Sequence, residues 1–418
     1  MKLFGRWENE TEYAKMSSMN EKELYKLIDE IQQADQQAVE KARERQATLA
    51  KPPGSLGGLE DISIRIAGMT GKVCNTVDKS IVAVFCADNG VVCEGVASAP
   101  QSVTMAQTVN FTRRLTGVGA LAESFGSELL IVDMGVKDPI PQKLYCKEPL
   151  EDTHKIVDRR LRPDTGETGN IAEGPAMTRQ EALKAIETGM EMADAIKKGG
   201  YEIMGVGEMG IGNTTTSAAL LSAITGRSAQ ETVGRGGGVN DKGFFRKKEI
   251  VDAVSRSYRE TGGILTETTY GTPPEIEANR RRAAGHIIDA LARMGGFDIC
   301  AMTGAFLGAA RNHIPVVIDG YISVVAALAA FVIAPASRDY MIASHKSFER
   351  GYAMAVEALE LKPFMALDMR LGEGSGCPVA FKIIKGACDV MSNMATFDEA
   401  AINDDYLEEV RAEEKFQK

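Results

Sequence analysis

Two glutamates in this sequence are enclosed by glycines directly after apolar runs. Glu373 lies in "RLGEGSG", behind "FMALDM" (364–369), and Glu208 lies in "GVGEMG", which continues the run "YEIMGV" (201–206). Glycine lets the backbone approach a ligand closely or adopt a positive φ. A carboxylate that is partly desolvated in such a pocket has a raised pKa and suits general base catalysis. The alternative, that each glutamate caps a helix by accepting backbone N–H bonds, stays open at this point.

Two glycine-containing segments have the composition of phosphate sites. The segment 205–215, "GVGEMGIGNTT", precedes a helical stretch whose first N–H groups favour an anion, and Asn213 and Thr214 add side-chain donors. The segment 233–248, "VGRGGGVNDKGFFRKK", combines four glycines within residues 234–238 with basic residues that include Lys247. A flexible loop with a solvated basic face is the alternative for this second segment.

Other catalytic and cofactor motifs receive little support. "GVGEMG" formally matches the dinucleotide pattern G-x-G-x-x-G, but it lies in mid-chain, so an NAD-dependent oxidoreductase is only a weak alternative. The sequence has no G-x-x-x-x-G-K-[ST] and no G-x-S-x-G. Its seven cysteines form no C-x-x-C pair and its four histidines have no ligand spacing, so we predict no metal site and a reducing compartment.

Six apolar runs, each followed by a small-residue turn with a polar group, must position these residues. Buried parallel strands are continuous apolar runs, so the pattern predicts an α/β protein with a six-stranded, parallel, doubly wound sheet of Rossmann-like form. The predicted strands are 80–87, 128–134, 201–206, 297–302, 314–319 and 364–369. Ligands bind beyond the carboxyl ends of such strands, so we expect the turns, including those with Asp88 and Asp319, to line one crevice. The alternative is that these turns simply favour Gly and Asp.

The remaining segments suggest a second, smaller unit. We predict a large α/β domain at 76–376 and a small helical domain formed by 1–75 together with 377–418. The polar, turn-rich stretches 147–167 and 258–282 are interpreted as long loops inserted into the large domain.

Charge and hydropathy exclude several kinds of partner. The chain has 418 residues, 44% of them hydrophobic, and a net charge of −10, which argues against binding nucleic acid through a general basic field. The N-terminus lacks the apolar core of a signal peptide. The longest apolar run, 322–336, is shorter than the ~20 residues of a membrane span and predicts a buried helix. We therefore predict a soluble cytoplasmic protein, and three- and four-residue apolar spacing predicts a helix over 21–51.

Longer motifs, ordered along residues 50 to 395, resemble the nicotinate-nucleotide–dimethylbenzimidazole phosphoribosyltransferase (CobT) family. The segments that resemble it are "KPPGSLGGLE", "ADNGVVCEGV", "APQSVTMAQTVNFTRRLTGV", "GNIAEGPAMTR", "GVGEMGIGNTTTSAAL", "GGFDICAMTGAFLGAA", "VVIDGYISVVAALAA" and "MRLGEGSG". The resemblance implies transfer of the 5-phosphoribosyl group of nicotinate mononucleotide to a benzimidazole-type base with inversion, without a metal or cofactor. It also implies a homodimer, although some relatives form heterodimers in which one chain could be mainly structural.

The resemblance also implies roles for individual residues. Glu373 matches the family's catalytic base, and Glu208 matches a second acidic residue, expected near the acceptor or the ribose. The matches to the family's phosphate contacts are Gly210, Gly236 and Lys247, and those to its acceptor pocket are Gln107 and Leu371.

Two positions depart from the family pattern. Asn89 stands where "ADHG" has histidine, and Ala99 stands where some members place a serine against the acceptor base. Loss of that hydroxyl leaves the acceptor open among dimethylbenzimidazole, another benzimidazole, a purine and a phenol.

Overall fold

The sheet is parallel throughout and has seven strands. The computed structural model describes residues 21–260 and 273–407, to which all structural statements here refer. The strands are β1 (Ser80–Ala87), β2 (Glu128–Gly135), β3 (Tyr145–Cys146), β4 (Ile156–Asp158), β5 (Ile203–Met209), β6 (Val316–Ile318) and β7 (Met341–Ala343). Their order is β3-β4-β2-β1-β5-β6-β7, and every neighbouring pair is parallel. The predicted parallel α/β architecture is confirmed, with one strand more than expected.

α-Helices connect most of the parallel strands, whereas β2, β3 and β4 follow one another without an α-helix between them. The α-helices are α1 (Glu21–Asp29), α2 (Gln36–Thr48), α3 (Gly58–Thr70), α4 (Val103–Thr112), α5 (Gly117–Phe125), α6 (Arg179–Lys198), α7 (Asn213–Thr225), α8 (Ala229–Thr232), α9 (Asp241–Glu260), α10 (Pro273–Met294), α11 (Phe297–Arg311), α12 (Tyr321–Ile333), α13 (Tyr352–Ala358) and α14 (Gly376–Asn393).

Two of the predicted strands are wrong. Residues 297–302 begin α11, whose first fourteen residues are all buried, and a buried helix gives the same continuous apolar run as a buried strand. Residues 364–369 form no strand and make only an isolated bridge between Met365 and His345.

The strands that the sequence did not reveal are short. β3, β4 and β7 have only two or three residues each, too few for a recognisable apolar run. β4 lies within 147–167, a segment that is otherwise turns and coil: Ile156 and Val157 are buried and pair with β2.

The predicted helix over 21–51 is present as two helices rather than one, α1 and α2. α2 begins where the Asp35 side chain accepts hydrogen bonds from the backbone of Gln37 and Ala38, which ends the continuity with α1. The predicted buried helix at 322–336 is confirmed as α12. Within the predicted insertion 258–282, residues 261–272 lie outside the described residues.

One large hydrophobic core surrounds the sheet, and every residue of β1 is buried. A smaller cluster of Ala42, Ala67 and Met391 brings the first helices together with α14, and Leu49 bridges to Thr396 nearby. The division into two domains at 75 and 376 stays a prediction. No described helix has both the length and the apolar character needed to cross a membrane.

The sheet register places the ends of its central strands side by side. Val206 of β5 pairs with Ala83 of β1 on one side and with Ile318 of β6 on the other. Glu208 and Asp319 therefore follow at the same edge of the sheet, at the carboxyl ends where ligands bind in folds of this class.

Candidate active site

A cleft of about 310 Å³ lies at this edge of the sheet. Most residues predicted for the site line it together: Ala99, Gln107, Glu208, Gly210, Asn213, Thr214, Gly236, Leu371 and Glu373. Three other predicted residues, Asp88, Lys247 and Asp319, do not line the cleft. The two glutamates and the glycine loop at 236–237 thus face one space, although they come from distant parts of the chain.

Glu373 sits at the centre of an unusual backbone bend. Residues 372, 373 and 374 have φ angles of 86°, 64° and 88°, in the left-handed region. A Cβ atom at Gly374 would lie 2.6 Å from Val82 Cγ1, and one at Gly372 would lie 2.5 Å from Glu208 Oε1, so neither position has room for a side chain. Because a glutamate rarely adopts a positive φ, the surrounding structure must hold it there.

Two neighbouring acids hold this bend through its backbone. Asp319 accepts the Gly374 N–H at Oδ2 (3.0 Å) and the Gly376 N–H at Oδ1 (2.7 Å). Glu208 Oε1 accepts the N–H of Glu373 itself at 3.4 Å. The main chain around Glu373, the candidate base, is therefore held by residues at the ends of β5 and β6. The Glu373 side chain remains available for other contacts.

The Glu373 carboxylate points toward the start of α5 and toward α4. Its Oε2 accepts the Val118 N–H at 3.1 Å, and its Oε1 accepts from Gln107 Nε2 at 3.3 Å. Asn110 in turn donates to the Gln107 carbonyl oxygen, which fixes the orientation of that amide. Burial raises the pKa of Glu373, while the N–H donors oppose this, so the group is a buried but ionisable base.

Glu208 lies in a more acidic environment. Its Oε2 accepts a hydrogen bond from Asn213, whose amide also donates to Asp298 Oδ2 at 3.0 Å. Burial raises the pKa of Glu208 to about 8, and the nearby Asp298 carboxyl adds to the effect. Glu208 consequently retains a proton at neutral pH more readily than an exposed glutamate does.

The other end of the cleft has the features of a phosphate site. α7 begins there, and its N-cap residue Gly212 has no side chain to satisfy the first N–H groups. Thr214 Oγ1 accepts from Lys247 Nζ at 2.7 Å and lies against Gly236, whose φ is 54°. Lys247 is 1% exposed, and burial lowers its pKa to about 8.

Comparison with known proteins identifies the family of this fold and cleft. The family model described as phosphoribosyltransferase (DBI_PRT) matches residues 31–402. A nicotinate-nucleotide–dimethylbenzimidazole phosphoribosyltransferase of Clostridium perfringens is 45% identical over 391 residues, which is 94% of this chain and 98% of the relative. The same enzyme of Clostridium tetani is 39% identical over 393 residues, covering 93% and 99%.

A solved structure agrees with the sequence comparison. CobT from Thermus thermophilus superposes with a TM-score of 0.75 at 33% identity, covering 88% of this chain and 99% of that one. The chain belongs to the nicotinate-nucleotide–dimethylbenzimidazole phosphoribosyltransferase family. The resemblance seen in the sequence is confirmed.

Family membership leaves the glycines of "GVGEMG" without a dinucleotide role. Gly205 and Gly207 lie within β5 and not in a strand-to-helix turn. A Cβ atom at Gly207 would lie 2.3 Å from the carbonyl oxygen of Glu373, and one at Gly205 would lie 2.5 Å from Cys377 Cβ. These glycines give room for the bend and α14 to pack on the strand.

The structure also places residues in the cleft that the sequence analysis missed. They are His345, Ser347, Glu349 and Arg370, of which the first three follow β7. Burial lowers the pKa of His345 to about 4, so its imidazole is neutral. If β7 had been recognised in the sequence, the three residues that follow it would have been predicted for the site, because this segment is one more turn at the carboxyl end of a strand.

Asp88 and Asn89 lie behind the cleft. Asp88 Oδ2 accepts the Lys137 N–H at 2.9 Å and so holds the loop after β2, rather than facing the space between the two glutamates. Asn89, the residue that departs from the family pattern, is buried, and its amide donates to the Ala87 carbonyl at 3.4 Å. At the opposite, open side, Leu371 is 60% exposed at the mouth of the cleft.

Proposed function

We propose that this protein transfers the 5-phosphoribosyl group of nicotinate mononucleotide to a ring nitrogen of a benzimidazole-type base. The products are nicotinate and an α-ribotide, the precursor of the lower ligand of a cobamide. The relatives that cover almost the whole chain bear the name of this activity. The observation that supports it most is the buried Glu373 carboxylate, fixed in the same cleft as Glu208 and a phosphate-type helix N-terminus.

The chemistry needs one base and no redox step. In nicotinate mononucleotide, C1′ of the ribose is bonded to a pyridinium nitrogen, which leaves with the bonding electrons as neutral pyridine. A nitrogen of the acceptor forms the new bond to C1′ from the opposite face, and this inverts the anomeric centre. Glu373 takes the proton that the acceptor loses, a role for which its buried position and Gln107 contact suit it.

The rest of the cleft binds and orients the donor. The start of α7 and Thr214 supply donors for the 5′-phosphate, and the buried Lys247, which donates to Thr214 Oγ1, adds a positive charge behind them. Glu208 lies between this end and the base, where its carboxyl can interact with the ribose as positive charge develops at C1′. Gln107, Ala99 and Leu371 form the acceptor side.

A direct assay tests the proposal. The protein is incubated with nicotinate mononucleotide and, separately, a benzimidazole, a purine and a phenol, and both nicotinate and ribotides are identified by mass. We expect release of nicotinate and an equal amount of α-ribotide with the benzimidazole. Conversion of the purine or the phenol alone would replace the proposed acceptor, and failure to release nicotinate with any acceptor would overturn the function.

We also propose that two copies of the chain form a homodimer, as the sequence resemblance implies. The chain has a mass of 45.0 kDa, so light scattering of the purified protein should give about twice that value. A monomeric mass would contradict the proposal. The cytoplasmic location stays a prediction from the sequence.

A further inference from the structure

Asp319 is a buried acid whose contacts differ from those expected of a substrate ligand. It directly follows β6, is 2% exposed, and does not line the cleft. Both of its carboxyl oxygens accept backbone N–H groups of the bend, one from Gly374 and one from Gly376. The sequence analysis grouped Asp319 with the substrate-binding residues, but its contacts are with the chain segment that presents Glu373.

The bend needs such a support. Glu373 has a φ of 64°, and its two flanking glycines are also left-handed, so the backbone amides of this segment cannot be satisfied by a helix or a sheet ladder. The amides after Glu373 point into the protein interior, where an unpaired N–H is costly. A carboxyl group with two oxygens at the correct spacing satisfies two of them together, and although burial raises the pKa of Asp319 to about 7, these two N–H groups favour its ionised form.

Apart from the bend, the described side chains beside Asp319 do not bind its carboxyl, although its charge helps to raise the pKa of Glu208. His345 Nδ1 lies 4.0 Å from Asp319 Oδ1, and since burial lowers the pKa of this histidine to about 4, no ion pair forms at neutral pH. The Ser344 hydroxyl donates to the main-chain carbonyl of Asp319 and leaves its carboxyl to the bend.

We propose that Asp319 is a positioning residue for the transfer reaction, which holds Glu373 in its left-handed conformation by binding the N–H groups of Gly374 and Gly376. This inference rests on the proposed function. It assigns Asp319 an effect on the rate of the chemical step and none on the binding of the donor, because its carboxyl does not reach the cleft.

Asp133 offers a matched control in the same fold. It lies in β2, is 0% exposed, and its Oδ1 accepts the N–H groups of Gly135 (2.9 Å) and Val136 (2.8 Å), in a bend that does not line the cleft. Asp319→Asn and Asp133→Asn therefore each remove a buried carboxylate that accepts two backbone N–H groups, although Asp133 also accepts from the Tyr145 hydroxyl at 2.6 Å. A general loss of stability affects both variants, whereas a loss of positioning affects only the first.

The experiment compares kcat, KM and the dissociation constant of nicotinate mononucleotide for both variants and the wild-type protein. We expect Asp319→Asn to lower kcat by about 10²-fold, as small misplacements of a catalytic group do, with the donor dissociation constant changed less than about threefold. Asp133→Asn should keep kcat within about threefold. Equal kcat losses in the two variants, or a donor affinity that falls with kcat in Asp319→Asn, would overturn the inference.

A double variant separates this inference from the proposed function. If Asp319 acts through Glu373, Asp319→Asn should cost little further activity in a protein that already contains Glu373→Gln. An additive loss would contradict it. Should Asp319→Asn not fold, Asp319→Ser, which can accept one of the two N–H groups, replaces it with the same expected pattern. If the wild-type protein released no nicotinate, the proposed function would be refuted, and the positioning role of Asp319 would be refuted with it.

Discussion

The two ends of the cleft are built with opposite electrostatics. At the base end, backbone N–H groups of residues 373, 374 and 376 bind the carboxyls of Glu208 and Asp319. At the phosphate end, the first N–H groups of α7 and the ammonium of Lys247 are donors placed where no side chain caps the helix. In the first case, side-chain carboxyls accept the N–H groups, and in the second, a threonine hydroxyl and main-chain carbonyls accept from the lysine and from the N–H groups of residues 213 and 215.

This difference explains what each end can do. Because internal acids satisfy the bend, Glu373 is left with a carboxylate directed at the acceptor side and is held rigidly. Because the positive end of the α7 dipole faces the cleft, this end suits an anionic group of the substrate. In the proposed function, the cleft thus separates proton removal from phosphate binding, although the protein as a whole has a net charge of −10. Changes at the base end should alter kcat, and changes at the phosphate end should alter donor binding.

The largest effect is expected from Glu373→Gln. The amide has nearly the same shape but cannot accept a proton, so kcat should fall by about 10²–10⁴-fold. The donor should still bind with nearly wild-type affinity, as measured by calorimetry with nicotinate mononucleotide. Turnover within tenfold of wild type would show that Glu373 is not the base.

At the phosphate end, Lys247→Met should weaken donor binding with a smaller effect on kcat. A charge-assisted hydrogen bond contributes about 1.5–3 kcal/mol, which corresponds to a roughly 10- to 100-fold rise in the donor dissociation constant. Lys242→Met, an exposed position on the same helix, is the control and should leave affinity unchanged. Equal effects of the two changes would indicate only a general loss of positive charge.

The same lysine makes donor binding depend on pH. Burial lowers the pKa of Lys247 to about 8, so its ammonium form is present below that pH and is lost above it. Donor affinity should therefore decline as pH rises through 8, by up to about tenfold for each further pH unit. This decline should disappear in Lys247→Met, and its persistence there would assign it to another group.

A smaller effect is expected from Gly374→Ala. The residue has a φ of 88°, and a Cβ atom would lie 2.6 Å from Val82 Cγ1, so the change should lower the free energy of unfolding by about 1–3 kcal/mol. It should also reduce kcat, because the bend carries Glu373. Gly386→Ala in α14 is the control: a Cβ atom there meets nothing within 4 Å, and helix stability should rise slightly. Denaturant unfolding and kcat measure both variants.

The smallest effect is expected from Ala99→Ser. Ala99 lies half-buried on the acceptor side, and a hydroxyl there could form one hydrogen bond with the acceptor, for about 0.5–1.5 kcal/mol. Competition between dimethylbenzimidazole and a phenol, which lacks the ring nitrogens, should then shift by roughly 2- to 10-fold. Unchanged selectivity would show that Ala99 does not contact the acceptor.

Sequence reasoning located the functional segments better than it located the strands. The glycines around Glu373 indicated an unusual backbone, and the structure has positive φ angles there. The segment before it was interpreted as a strand because apolar residues precede the turn, but it forms only one bridge, at Met365. Local composition reports burial and turn chemistry directly, whereas strand pairing depends on a partner distant in the chain.

Asp298 illustrates the same limit of sequence reasoning, here for a residue that the sequence analysis did not assign to the site. It lies at the start of α11, and Asn213 connects it to Glu208. The sequence assigned this residue to the middle of a strand, so it could not be placed in the site. Its distance from residue 208 along the chain gives no indication that one amide donates to both carboxyls.

The sequence by itself determined the parallel α/β class, the family, and the glycine-enclosed acids, because apolar runs, turn residues and long motifs are local properties of the chain. Only the tertiary structure decided that Asp319 binds the backbone of the bend while Lys247 approaches Thr214. Such contacts arise from the register of β5 and β6 and from the packing of α9 on α7, and no local pattern specifies those. The roles of these acids and of the lysine therefore follow from where the sheet and helices place them.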